Sequence, residues 1–123
     1  MFVVTDTYRF EWPVKVVRPS TTKIGETVTD EFVGLFEALP SDRAEVLADE
    51  MAAAATVGAV VAAETAQVRA VLVGWSQVVG DKGQPVEFSP DALDFVCRYP
   101  WFREAVGRAY REAIAGGGAR LGN

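Results

Sequence analysis

Residues 8–17, YRFEWPVKVV, put Phe10, Trp12, Val14 and Val16 on one side of an extended chain and Arg9, Glu11 and Lys15 on the other. A period of two over that length reads as a strand with one dry face, and the dry face carries two large rings. The run TVTDEFVGLFEALP repeats the pattern with Val28, Phe32, Gly34 and Phe36 at even positions, although Asp30 interrupts it. Pro19, Ser20 and Gly25 lie between the two runs as turn residues, so residues 8–39 are expected to form an antiparallel hairpin. Pro13 has no N–H to give to a ladder, which places the first strand at a sheet edge or at a bulge. A hairpin alone is marginal in water, so the rest of the chain has to cover its aromatic face.

The cover is expected to be helical, over residues 41–115. After Pro40, Ser41 or Asp42 offers a capping oxygen, and Ala44, Val46, Leu47 and Met51 follow at roughly helical spacing, giving a helix over about 42–55. Thr56 and Gly58 are candidate breaks. A second helix is expected over about 60–79, with Val61, Val68, Leu72 and Trp75 inward and Val71 and Val78 close to the same side; one bent helix across 42–79 stays open. GDKGQP holds Gly80, Gly83 and Pro85, the composition of a tight reversal, with Trp75 and Phe88 clasping it from either side. Ser89 as N-cap, Pro90 at the first helical position and Asp91 in the first turn start a third helix, which makes this stretch a helix–turn–helix corner. It carries Leu93, Val96 and Cys97 inward and ends by Tyr99, because the residue before Pro100 is pushed out of helical geometry. A fourth helix follows Pro100, and residues 116–123 read as a flexible tail. The fold class is α+β: one domain, with a small N-terminal β-hairpin on about four helices.

Half of the 123 residues are hydrophobic, enough for one core. Seventeen acidic against twelve basic residues leave a net charge of −5, which opposes binding to phosphate backbones. Met51 to Ala63 is uncharged for thirteen residues, short of the ~20 that cross a bilayer. The start, MFVVTDTYRF, lacks the basic and long apolar regions of a signal peptide, so residence in the cytoplasm is expected.

Catalytic groups do not assemble. The chain has no histidine and one cysteine, Cys97, so neither a Cys–His nucleophile nor a usual zinc ligand set has support. Asp49 and Glu50 sit where a solvated helix face would have them. GDKG lacks the spacing of a nucleotide loop, and GGGAR has no following helix. A non-enzymatic protein without cofactor or metal is the expectation.

The remaining signal is aromatic. Trp101 and Phe102 are adjacent, about 100° apart on a helix, so both cannot face one inner stripe, and an exposed ring there marks a partner surface. The candidate partner-binding residues are Trp12, Tyr99, Trp101, Phe102 and Tyr110, with Gly83, Pro85 and Ser89 as turn and cap. The hairpin edges offer a second route to another chain, including a second copy, unless Pro13 and the charged residues blunt them.

In order along the chain, the WPV strand, DEFVGLFEAL, VGWSQVVGDKGQPVEFSPDAL and YPWFREAVGRAYREAIAGG together resemble the tail assembly chaperones of long-tailed bacteriophages, prophages and gene transfer agents. The residues that match are Trp75, Asp81, Gly83, Pro85, Phe88, Ser89, Leu93, Ala105, Ala109, Tyr110 and Ala113. The resemblance is specific over residues 72–115, while the Ala-rich middle departs from the more charged helices of that family. It implies a non-virion protein that coats the tape measure protein before the tail tube forms, with tape measure, tail tube subunits and copies of itself as partners. A minor structural subunit of the particle, in the tail or connector, is the alternative.

Overall fold

A computed structural model describes residues 1–116. It is an α+β fold in which an antiparallel sheet is covered on one face by helices. Strands β1 (Arg9–Pro19) and β2 (Thr27–Glu37) form the expected hairpin, in a register that sets Phe10 opposite Phe36, Trp12 opposite Gly34 and Val14 opposite Phe32. The dry face is as the alternation requires: Val14, Val16, Phe32 and Phe36 are buried, while Arg9, Glu11, Pro13 and Lys15 are exposed.

Helix α1 (Ser41–Ala53) follows Pro40 directly. The expected capping oxygen of Ser41 or Asp42 is not used: Pro40 holds the N-cap position, and no side chain caps the helix. Thr56 is a break, as expected, because it caps the next helix: its Oγ1 accepts from the Ala59 N–H at 3.1 Å. Residues 42–79 are therefore neither one bent helix nor two helices alone. Helix α2 (Val57–Val71) ends eight residues before the expected limit of 79, and Leu72–Ser76 becomes a third strand, β3.

That correction has a physical cause. The hairpin leaves β2 with an open edge at Val33–Phe36, and β3 pairs there antiparallel. The local sequence does not oppose it, since Val73 and Trp75 are residues that fit a pleated surface. The β2–β3 register shifts between Leu35 and Phe36, at the end where β3 leaves α2. Gly34 now sits between two tryptophans, Trp12 on β1 and Trp75 on β3. A Cβ there would lie 2.8 Å from the Phe36 ring and 3.0 Å from Leu72, so only glycine fits.

The helix–turn–helix corner is corrected accordingly, because a strand rather than a helix enters the turn. Val79 bridges to Pro85, the Val86 N–H donates to the Val78 carbonyl, and Gly83 turns the chain at φ +78°. The clasp is as expected. Trp75 and Phe88 meet edge to face at 4.9 Å, and the Trp75 indole N–H donates to the Val86 carbonyl at 2.8 Å.

Helix α3 (Pro90–Val96) starts as the sequence requires, with Ser89 Oγ accepting from the Ala92 N–H at 3.0 Å. Helix α4 (Pro100–Ile114) restarts after Tyr99. It buries Phe102, Ala105, Val106 and Ala109, one helical face, and the small residues Ala105 and Ala109 let it lie close on β1. Of the expected flexible tail, Gly117 to Asn123 lie outside the described residues.

Candidate functional site

Helix α1 buries none of its residues. Short links, Ala38–Leu39–Pro40 before it and Ala54–Ala55–Thr56 after it, hold it beside α2, and it stands away from α4. Ala44, Leu47, Ala48 and Met51 form a stripe at i, i+3, i+4 and i+7 that faces α4 across a groove of about 940 Å³. Val68 and Val71 of α2, which are buried, lie beneath it with Val106. Trp101, Gly107 and Tyr110 of α4 make the opposite wall. Leu47, Met51 and Trp101 are only half-buried, so apolar surface is left open to solvent within a walled channel. Helical walls with an apolar floor suit an apolar polypeptide segment laid between them.

Polar groups on the rim are already ordered. Arg103, 9 % exposed, donates from Nε to Glu64 Oε1 at 2.9 Å and from Nη1 to the Cys97 carbonyl at 2.7 Å. It thereby ties α2 to the joint between α3 and α4. Glu104, also on the rim, pairs at 2.8 Å with Arg108, which lies toward β1. The Tyr110 hydroxyl accepts from the Leu39 N–H at 2.9 Å, which anchors the link into α1 at one end of the groove. Beyond the other end, Tyr99 stacks on Trp101 at 4.9 Å, and the Arg98 guanidinium lies 3.8 Å from the centre of the Phe95 ring. Phe95 and Tyr99 are exposed, so this end carries the Trp, Tyr and Arg chemistry typical of binding hot spots.

The expected partner residues divide three ways. Trp101 and Tyr110 line the groove, and Tyr99 adjoins it through its stack on Trp101. Trp12 lies on the β1 side of α4, in a small pocket of about 160 Å³ with Pro13, Ala105, Arg108 and Ala109. Phe102 is taken into the core, stacked on Phe32 at 5.8 Å, which removes it from any partner surface of this fold. Gly83, Pro85 and Ser89 shape the turn and cap described above and do not reach the groove. Ala44, Leu47, Ala48, Met51 and Gly107 line the groove and are not among the expected partner residues. The signal for the four α1 residues was available in the i, i+3, i+4 and i+7 spacing from Ala44, whereas Val46, grouped with them by rough helical spacing, is exposed. Gly107 carried no signal, because its part is to leave space.

Cys97 is 2 % exposed, and burial pushes its thiol from the ordinary value of 9.0 up to about 11, with Asp94 adding to the rise. Among the described residues no group of three or more acidic, Cys or His side chains is placed to hold a metal ion, and no helix is long and apolar enough to cross a membrane. Comparison with protein-family models, curated proteins and solved structures gave no match to this chain.

Proposed function

We propose that this chain is a tail assembly chaperone of a long-tailed phage or phage-derived cluster, acting in the cytoplasm of the bacterial host. Its client is the tape measure protein, held through protein–protein contacts while tail tube subunits assemble. The observation that carries the reading is the open groove between α1 and α4, an apolar channel whose walls include Leu47, Met51 and Trp101. A chaperone of a long helical client needs such a surface and needs no bond made or broken. The resemblance of residues 72–115 to that family points the same way.

Co-expression with the neighbouring long helical gene product tests it. The expected result is a soluble complex that is lost when Trp101→Asp closes the groove to apolar chains. An insoluble partner with no complex would remove the reading. Mass spectrometry of purified particles separates the chaperone from a minor tail or connector subunit: the chaperone is absent or present in traces, the subunit stoichiometric.

A further inference from the structure

Met1, Phe2, Val3 and Val4 are four consecutive apolar residues that nothing among the described residues covers; Phe2 is 88 % exposed. Such a run on a folded surface is a liability unless it has a use. We propose that this arm is the ligand of the groove in a second copy of the chain, so that two copies exchange arms. The inference rests on reading the groove as a polypeptide-docking site.

Position, length and charge agree. The arm leaves the sheet at Tyr8, whose carbonyl accepts from the Ala38 N–H at 2.9 Å, next to Leu39 at the end of the groove. Pro100 to Arg111 of α4 span about 17 Å at ~1.5 Å per helical residue. Met1 to Asp6, fully extended, span about 17 Å at ~3.3 Å per residue. With the arm laid in from the Leu39 end, Asp6 falls beside Arg111. Neither Asp6 nor Arg111 has an ion-pair partner among the described residues, so each can pair across copies. Each arm stands clear of its own groove, which leaves arm and groove open to a neighbour at once. A reciprocal exchange of this kind closes into a two-fold dimer.

Sedimentation of the full chain across concentration tests the proposal, with Phe2→Asp/Val4→Asp as the arm variant and Gly107→Leu as the groove variant. Both positions leave the core untouched, and circular dichroism checks that each variant folds. The wild type should form a concentration-dependent dimer, and each variant alone should weaken it by at least about tenfold. A mixture of the two variants should recover association, since the mixed dimer keeps one intact arm and one intact groove. A wild type that stays monomeric up to its solubility limit, including one whose own arm folds back, overturns the proposal. So does a dimer indifferent to both variants. The tape measure complex separates this from the broader reading. If the arm variant is no weaker in self-association yet Gly107→Leu abolishes the complex, arm exchange fails and the chaperone groove stands. If Gly107→Leu leaves the complex intact, the groove reading itself fails.

Discussion

Arg108 Nη2 donates to the Lys15 carbonyl at 2.7 Å, reaching from α4 to the outer edge of β1. The Tyr8 carbonyl accepts from Ala38 on the β2 side, so by alternation the odd residues of β1 turn their backbone groups outward. At two successive outward positions the edge is blunted: Pro13 has no N–H, and the Lys15 carbonyl is occupied. This weighs against recruitment of another chain through the β1 edge of the hairpin. Arg108→Ala with Pro13→Thr should cost little stability, within about 1 kcal/mol, yet give edge-to-edge association with rising concentration. Light scattering unchanged from wild type would show that these residues do not guard the edge.

Gly34 is the tightest point of the sheet. Because Phe36 is fully buried, its ring cannot retreat from a Cβ at 2.8 Å. Gly34→Ala should destabilise by about 1–3 kcal/mol through overpacking. Chemical denaturation measures it, and a neutral result would mean that the β2–β3 register can shift.

Gly107 should behave in the opposite sense. It lies inside α4, where glycine costs about 1 kcal/mol against alanine, and a Cβ there meets only the flexible end of Arg111 at 3.1 Å. Gly107→Ala should therefore stabilise by about 0.5–1 kcal/mol in thermal or denaturant unfolding. A loss of stability would mean that Arg111 is not free to move.

Arg103 is nearly sealed, while its partner Glu64 is about 39 % exposed at the side chain. Arg103→Met leaves the Cys97 carbonyl without its donor and Glu64 without its cation, and should cost about 2–3 kcal/mol. Glu64→Gln keeps an acceptor in place and should cost less, because its side chain stays partly hydrated. Equal losses in the two variants would contradict this division.

The Cys97 thiol titrates higher folded than unfolded, so the folded state holds its proton more tightly. Its contribution to stability is complete below pH 9 and is lost as pH rises through about 11. Tyrosines and lysines also titrate in that range, so the measurement is the difference between wild type and Cys97→Ala in denaturant midpoint against pH. That difference should shrink between pH 9 and pH 11, and a constant difference would refute it.

Much of this molecule follows from local chemistry. The alternation in residues 8–17 and 27–37 determines the hairpin and its dry face, because a strand's side chains can only point two ways. Ser89–Pro90, Tyr99–Pro100 and Gly83 determine where α3 starts, where α4 starts and where the chain reverses, because capping, the pre-proline restriction and positive φ act within a few residues. The adjacency of Trp101 and Phe102 likewise requires that one ring face outward.

Tertiary structure decided the rest. Leu72–Ser76 suits a helix or a strand by its own residues, and the open edge of β2, some forty residues earlier in the chain, turned it into β3. Which ring of the Trp101–Phe102 pair went inward was decided by Phe32, which stacks on Phe102. The groove is further from the sequence still. It is a gap between α1 and α4, set by two short links and by what α2 leaves uncovered, and local pattern encodes the walls of such a gap but not the distance between them.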